Sequence, residues 1–466
     1  MEKPKLPGYG RLRPDEQEEL PISQKKNINR RQFLKKAAGI AVGAISFPYI
    51  VPSSALGKAG NVAPSNRITL GCIGVGWQGT SNMNSFLSEK DCQIIAVCDV
   101  DRNHLQSAVN QVNEHYKNKD CVAYHHFREL LARDDIDAVS ISLPDHWHAI
   151  PVIEAARSGK DIFGEKPLSH NFNEGRAMCE AVKRYGRVWQ TGSWQRSVPQ
   201  FRFACELVRN GRIGNVHTVE VALPSGHRDF AQTKGQEQFG PAPAELDYDF
   251  WLGPAPYEPY CPARVHKNWR WHLDYGGGQL MDWIGHHADI AHWGLGLDYT
   301  GPVEIEGHGD FPRTGLWNSP TDFELTAKYA GGLTMVLSSK IVYPLGTEWG
   351  EVIGTKWIGE DGWVCVTRGG IDAWPKNLLT EKFGPNEIHL FRSPGHQRNF
   401  LDCVKSRGTT ITPCEVAHRS VTPGHLGQIA MLLGRKIRFK PDTEEIIGDS
   451  TATRMLGNAM RSPWHL

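Results

Sequence analysis

The chain has 466 residues, 40% of them hydrophobic and 22% charged, so it can bury a large core and is neither disordered nor fibrous. Its 52 Lys and Arg balance 51 Asp and Glu, and a formal charge of +1 excludes a global field that would draw the protein to nucleic acid. The ten cysteines include no C-x-x-C pair, and several, such as Cys72 and Cys98, sit in apolar runs, so they read as buried free thiols rather than as a disulfide framework or a zinc site.

The first informative segment runs from Asn27 to Gly57. Arg30, Arg31, Lys35 and Lys36 form a basic block, followed by fifteen uncharged and mostly apolar residues from Ala37 to Val51 and then the small residues Ser53, Ser54 and Ala55. That stretch is short for a membrane span, and Gly39, Gly43, Pro48 and Pro52 argue against an ordinary domain helix. The layout is that of a secretory signal. Arg30-Arg31 followed by Gln32, Phe33 and Leu34 resembles the twin-arginine type, whose machinery exports folded proteins. The expectations are a leader and signal over 1–57, cleavage near Ala55, a linker over 58–66 and a periplasmic protein, membrane-tethered where the signal stays uncut.

From Arg67 short apolar runs alternate with helical ones. Residues 67–75 read as a strand, Gly74, Gly76 and Gly79 make G-x-G-x-x-G, 80–88 reads as a helix, and Gln93 to Asp99 is the next strand. Glycines directly after a strand, with an acid 20 residues beyond Gly79, point to a dinucleotide site. The turn carries Trp77 and Gln78, which are expected to border the cofactor. Asp99 can accept the adenosine ribose hydroxyls and repel a 2'-phosphate, which favours NAD over NADP; Arg102 nearby keeps NADP open. The alternation continues through strands near 121–124, 137–143, 159–163 and 188–193, with helices between them. This order predicts a doubly wound parallel sheet over 67–195, in which ligands meet the carboxyl ends of strands. Two loops satisfy that condition, Pro144-Asp145-His146-Trp147-His148 and Gly164-Glu165-Lys166-Pro167. Pro144, His148, Glu165 and Lys166 are therefore candidate cofactor contacts, and His146 and Trp147 candidate substrate contacts. His146-x-His148 lacks a close third ligand, and no metal is expected.

A helix near 200–209 leads into a second region, 196–440, dominated by strand patterns near 216–223, 303–307, 323–329, 333–340, 349–357 and 363–367. The prediction is an α+β domain with an open, mostly antiparallel sheet, whose free face suggests a homodimer or homotetramer. Between its first two strands, Gly276-Gly277-Gly278 opens a helix. On it Asp282, His286, Asp289 and Trp293 recur at i, i+4, i+7 and i+11, while His287 lies on another face. An acid one turn before a histidine can orient the ring and suits a general base; a buried polar network is the alternative, above all for Asp289. Tryptophans crowd this region, and Trp269, Trp271 and Trp194, with Arg270, are candidate contacts for the C–H faces and hydroxyls of a sugar. A tail, 441–466, is expected to pack back on the body.

With the glycine turn, the Glu165-Lys166-Pro167 loop and the Gly276 to Trp293 segment in view, the chain resembles the glucose-fructose oxidoreductase, inositol dehydrogenase and MocA family from about Ile68 onward. Residues 144–149 and the tail around Gly448-Asp449 and Arg461-Ser462-Pro463-Trp464 share the likeness. The resemblance implies that Lys166 is catalytic, that Asp282 and His286 match the family's helix pair, and that the substrates are sugars, sugar acids or polyols handled through NAD or NADP by a dimer or tetramer. One departure is Ile284-Gly285, where many members carry glycine one position earlier. The mechanism so implied is reversible hydride transfer from a carbinol carbon, with His286 as base, Asp282 holding its ring and Lys166 stabilising the developing carbonyl. The alternative is an NAD-dependent glycosidase or lyase that oxidises its sugar transiently. A non-catalytic binding module is a third class, which the presence of all three residues disfavours.

Overall fold

The computed structural model describes residues 62–343, 345 and 352–466. The signal and residues 58–61 of the linker lie outside the described residues. The first unit alternates β1 (Ile68–Ile73), α1 (Trp77–Leu87), β2 (Cys92–Cys98), α2 (Arg102–Tyr116), β3 (Val122–Tyr124), α3 (Phe127–Leu131), β4 (Ala138–Ile141), α4 (Ala149–Arg157), β5 (Asp161–Gly164), α5 (Phe172–Arg184) and β6 (Trp189–Thr191). Its six strands are parallel in the order β3-β2-β1-β4-β5-β6. β4, β5 and β6 are buried at every position because helices cover both faces, which is why their sequences read as apolar runs rather than alternations. The order reverses between β1 and β4, and the crevice outside their carboxyl ends is where such a sheet takes a ligand.

After α6 (Pro199–Arg209), the second unit is built on β7 (Val216–Ala222), β8 (Glu304–Gly309), β9 (Phe323–Lys328), β10 (Thr334–Ser338), β11 (Gly354–Gly359), β12 (Trp363–Thr367), β13 (Gly370–Trp374), β14 (Ile437–Lys440) and β15 (Glu445–Ile446), with α7 (Tyr248–Leu252), α8 (Gly278–Leu295), α9 (His396–Ser406), α10 (Cys414–Leu433) and α11 (Ser450–Arg454). The strands form one sheet in the order β13-β12-β11-β7-β10-β9-β8-β14-β15, antiparallel except for β7 beside β10. Burial alternates along β9 and β14, so one sheet face packs on helices and the other stays open. The strand expected over 349–357 begins at Gly354, and 346–351 lie outside the described residues. β13 and the β14–β15 ribbon were not foreseen, since runs of two to five residues are too short for periodicity to register.

α8 is anchored by a buried ion pair. Arg196 places Nε 2.7 Å and Nη2 2.8 Å from the two carboxylate oxygens of Asp289, and Nη2 also reaches Asp298 at 2.8 Å. The guanidinium lies over Trp293, 5.2 Å from the ring centre. Asp289 and Trp293, half of the stripe seen in the sequence, therefore hold the helix in place. Truncating one partner strands the other charge in the interior. Asp289→Ala is expected to destabilise the protein by roughly 3–5 kcal/mol, read as a fall in melting temperature; an unchanged melting temperature would show that Asp298 alone suffices for Arg196.

The long connection between β7 and α8 leaves its own sheet and crosses to the nucleotide unit. Leu246 bridges Asp101, Arg102 N donates to Glu245 O at 3.0 Å, and Asp247 N donates to Val100 O at 3.1 Å. The chain end packs over the same segment: Trp464 stacks on Phe250 and meets Trp147 edge-on, and Arg461 Nε donates to Gly253 O at 2.9 Å.

Candidate active site

A cleft runs from Asp99, Asp101, His104 and His266 at one end, past Gly74, Gly76, Trp77, Gln78 and Gly79, to Pro144, Asp145, Glu165, Lys166 and Arg270 at the other. The glycines fit a dinucleotide. A Cβ on Gly74, whose φ is +77°, would lie 2.4 Å from Ser142 O, and one on Gly79 would lie 2.0 Å from Gly74 O. Gly76 is not crowded: a Cβ there would make only van der Waals contact with the His104 ring, at 3.5 Å, and its absence leaves the backbone free to approach a pyrophosphate. Asp99 has a second task besides meeting a ribose. Its Oδ2 accepts from Val75 N at 2.8 Å and its Oδ1 from Asp101 N at 2.9 Å, which ties the glycine turn to the end of β2. The crossing segment roofs the cleft: Lys267 and Arg270 sit 4.7 and 5.4 Å from the centre of the Trp77 ring, and Arg270 lies 4.5 Å from that of Trp269.

At the inner end the two units meet through one charge pair. Lys166 Nζ donates to Asp282 Oδ1 at 2.8 Å and to Asp282 O at 2.7 Å, and Arg270 Nε donates to the same Oδ1 at 3.2 Å. Burial pushes the Asp282 carboxyl up, but the two cations and their hydrogen bonds outweigh it and hold it at about 2. Gly285 makes the approach possible, because a Cβ there would stand 3.1 Å from Lys166 Cβ. His286 lies on the same helix face. Burial first, then the charges of Lys166 and Arg368, push its imidazole well below 6.5, so the ring is neutral at pH 7. Its Nδ1 has no hydrogen-bond partner among the described residues. The expected contact in which Asp282 orients His286 is therefore not made: the carboxylate is committed to Lys166 and Arg270.

Other expected residues separate into two groups. Trp147 and Trp269 border the cleft, and the Trp194 ring lies 6.5 Å from His286 with Arg368 over it at 4.7 Å. His148 does not border the cleft; its two ring nitrogens lie 2.8 Å from Pro167 O and 2.9 Å from Leu143 O, bracing one loop against the other. Arg102 does not border the cleft, and the basic groups at that end are His104, His266 and Lys267. Trp271 is fully buried and donates to Arg228 O, so it is core. His146 is buried against Trp251 and faces a different cavity.

Sequence reasoning missed Asp145, His104, His266 and Lys267. Asp145 is the informative case: burial, then repulsion from Asp282, raises its carboxyl well above the usual range, so an acid that resists ionisation sits beside the charged pair. Its place in the loop after β4 was a usable signal. His266 and Lys267 come from the crossing segment, 187 and 188 residues after Gly79, and no local pattern brings them to the adenosine end.

A doubly wound sheet with this glycine turn, joined through a lysine to the helix of an open-sheet domain, defines a two-unit NAD-binding oxidoreductase. The chain belongs to the Gfo/Idh/MocA oxidoreductase family. The family's NAD-binding Rossmann fold matches residues 68–193, and its C-terminal alpha/beta domain matches 200–342 and 386–466. The chain is 33% identical over 172 residues to the alpha-N-acetylgalactosaminidase of Shewanella oneidensis and to the glycosyl hydrolase family 109 protein 1 of Shewanella sp. (strain ANA-3); each match covers 34% of this chain and 38% of the relative. Among solved structures, the WlbA dehydrogenase from Bordetella pertussis, in complex with NADH and UDP-GlcNAcA, superimposes with a TM-score of 0.60 at 17% identity over 80% of this chain and 98% of that one. The aldose-aldose oxidoreductase from Caulobacter crescentus, complexed with glycerol, gives 0.57 at 19% identity over 80% and 100%.

The end of the cleft after β2 is lined by two carboxylates, Asp99 and Asp101, whose charge would oppose a 2'-phosphate. Titration of the apoprotein with both cofactors is expected to give clearly tighter binding of NAD. Equal affinity, or tighter NADP, would mean that His104, His266 and Lys267 outweigh the acids.

Proposed function

We propose that the protein transfers hydride between a carbinol carbon of a saccharide or polyol and the nicotinamide of a tightly held NAD. The observation that carries this reading is the fixed ammonium of Lys166: Asp282 takes two of its donors, which leaves one for a substrate oxygen beside the cleft. When bound, NAD supplies the two-electron acceptor, and the protein supplies position and electrostatics. Lys166 Nζ donates to the reacting oxygen and stabilises the charge that develops as it becomes a carbonyl. His286 takes the hydroxyl proton. Because its Nδ1 is sealed from solvent, the exchange falls to Nε2, which requires the tautomer with hydrogen on Nδ1. Asp282 positions Lys166 rather than the imidazole. Trp194 and Trp269 offer apolar faces to a sugar ring.

Lys166→Met and His286→Ala are expected to keep the fold and the cofactor while lowering the single-turnover transfer rate by about 10²-fold or more. His287, whose Nδ1 lies 3.3 Å from Thr355 Oγ1 in the core, is the control: His287→Ala should lower the melting temperature more than the rate. The base form of His286 persists below 6.5 because its own value is lowered, so the wild-type rate should stay level from neutrality through pH 6.5 and fall only in more acid solution. A rate that halves at 6.5 would assign the proton to another group.

The relatives in glycosyl hydrolase family 109 support a second reading, in which the sugar is oxidised only transiently and a glycosidic bond is cleaved without net redox change. Product analysis on matched glycosides and free sugars separates the two: an oxidised sugar with stoichiometric NADH supports the first, a released aglycone with no NADH the second.

The chain is also proposed to leave the cytoplasm folded, through its Arg30-Arg31 signal and the twin-arginine machinery, with its cofactor inside, and to work in the periplasm as a homodimer or homotetramer joined through the open sheet face. The roof over the cleft supports retention, since exchange requires the crossing segment to move. Mature protein purified without added NAD is expected to release one dinucleotide per chain on denaturation. Protein that releases none and turns over only with added millimolar NAD would overturn retention of the cofactor; sedimentation of the same sample reads the oligomer.

A further inference from the structure

The adenosine end of the cleft carries a second kind of chemistry. Asp101, His104 and His266 each offer one ligand atom, and these atoms lie within 4.8 Å of one another, a grouping that no other His, Cys, Asp and Glu set among the described residues matches. The groups are within reach of solvent. Both histidine side chains are 38% exposed, and all three residues line the cleft. The expectation that no metal binds rests on His146-x-His148, a different pair; the present set has no local signature, because the crossing segment supplies its third member.

Local structure places each ligand. Asp101 caps α2: its Oδ1 accepts from Asn103 N at 2.8 Å and from His104 N at 3.2 Å, which fixes the carboxylate and leaves Oδ2 facing His266 Nε2 at 3.9 Å. His104 stands in the first turn of the same helix, with its ring centre 5.2 Å from that of His266. His266 holds a left-handed backbone, φ +55°, which is uncommon for a residue with a Cβ and persists only where the surroundings impose it. A tetrahedral zinc with bonds of about 2.0–2.1 Å spaces its ligand atoms about 3.3 Å apart. Rotation of two partly exposed rings toward a carboxylate already in place closes that difference.

The donor set selects the class of ion. Magnesium and calcium prefer oxygen ligands throughout, whereas zinc takes imidazole and carboxylate together and can keep a fourth position for water. Lys267, next in the chain to His266, is directed over the Trp77 ring, 4.7 Å from its centre. The position of the site decides its consequence. His104 Nδ1 lies 3.9 Å from Asp99 Oδ1 and 3.5 Å from a Cβ built on Gly76, so the ring stands beside both the acid that would meet the ribose and the glycine that would meet the pyrophosphate. An ion held there and a dinucleotide claim the same space.

We propose that the dinucleotide-free protein binds one zinc-class divalent cation through Asp101, His104 and His266, and that this ion and NAD exclude each other from the cleft. The exclusion rests on the reading that NAD lies with its adenosine ribose at Asp99; the metal site itself does not.

The test uses the full chain stripped of dinucleotide and of metal, its fold confirmed by the melting temperature, then dialysed against Zn²⁺ and assayed for bound metal; Co²⁺ serves as a substitute that absorbs visible light. One ion per chain is expected, with affinity reduced about tenfold or more in His104→Gln and in His266→Asn, where asparagine tolerates the left-handed backbone. NAD added to the cobalt-loaded protein should displace the ion, zinc should raise the apparent Kd of NAD in proportion to its concentration, and protein already loaded with NAD should take up no ion at this site. The proposal is overturned if the wild type binds no more zinc than the double variant His104→Gln/His266→Asn, which would mean an adventitious ion only, or if zinc and NAD bind together. NAD titrated in the presence of a chelator reads the cofactor site alone. A cleft that takes zinc but no NAD would count against the cofactor reading and, with nothing to exclude, against the exclusion as well.

Discussion

The charge pair between Lys166 and Asp282 decides what the rest of the site can be. The lysine leaves the end of β5 in the nucleotide unit, and the aspartate stands on α8 of the sheet domain, so one contact joins the units where the crevice meets the second domain. Burying such a pair is costly unless its hydrogen bonds are complete, and here the ammonium takes both a carboxylate and a carbonyl oxygen of one residue. Arg270 adds a second cation to the same carboxylate. Two cations lie against one carboxylate, with the buried carboxyls of Asp145 and Glu165 close by, both shifted toward the neutral form. The cations keep Asp282 ionised and favour an oxygen that acquires negative charge beside Lys166, and the lysine charge adds to burial in keeping His286 neutral.

The surroundings serve this arrangement by removing freedom. Gly285 lets α8 come close enough to the lysine stem, and Ser193 Oγ donates to Gly285 O at 2.7 Å. The Arg196–Asp289 pair fixes the next turn of the same helix, while Glu165, accepting from Asn82 Nδ2 at 2.7 Å, holds the loop that carries Lys166 to α1. The helix that follows the glycine turn thereby also supports the catalytic loop. Cofactor site and reacting end are linked through α1 as well as through the cleft between them.

Local chemistry explains how much of this could be read from the chain. The doubly wound sheet of the first unit was legible because strand and helix patterns alternate along the chain and because the glycines demand a turn that only glycine permits; the Cβ distances at Gly74 and Gly79 give the reason. Lys166 and His286 stood out through position, one after a strand and one on a helix opened by three glycines. What the helical spacing could not reveal was the partner of Asp282. An acid at i and a histidine at i+4 share a face, but a lysine from another unit competes for the carboxylate and wins, since a full charge offers more than a neutral ring. His148 misled for a related reason: both of its nitrogens meet backbone carbonyls of the two loops it was expected to join to a cofactor. The crossing segment stayed hidden because its contacts with the nucleotide unit, backbone bonds at Asp101 and Arg102 and cation–ring contacts at Trp77, join residues far apart in the chain, where no local pattern marks them.

That segment ties cofactor retention to catalytic geometry. Arg270 is at once part of the roof, lying over Trp77 and Trp269, and part of the reacting end, bonded to Asp282. Lifting the roof far enough to exchange a dinucleotide would draw Arg270 away from the carboxylate, remove one of its two cations and loosen the lysine that Asp282 positions. The open form is thus a poor catalyst and the closed form a poor exchanger. An enzyme that takes a fresh cofactor at every turnover would have to pass between these forms each time. One that oxidises and reduces on the same bound NAD can remain closed throughout. Under the proposed function, the arrangement of Arg270 suits the second way of working, in which the roof opens rarely and the Lys166–Asp282 pair stays assembled from one turnover to the next.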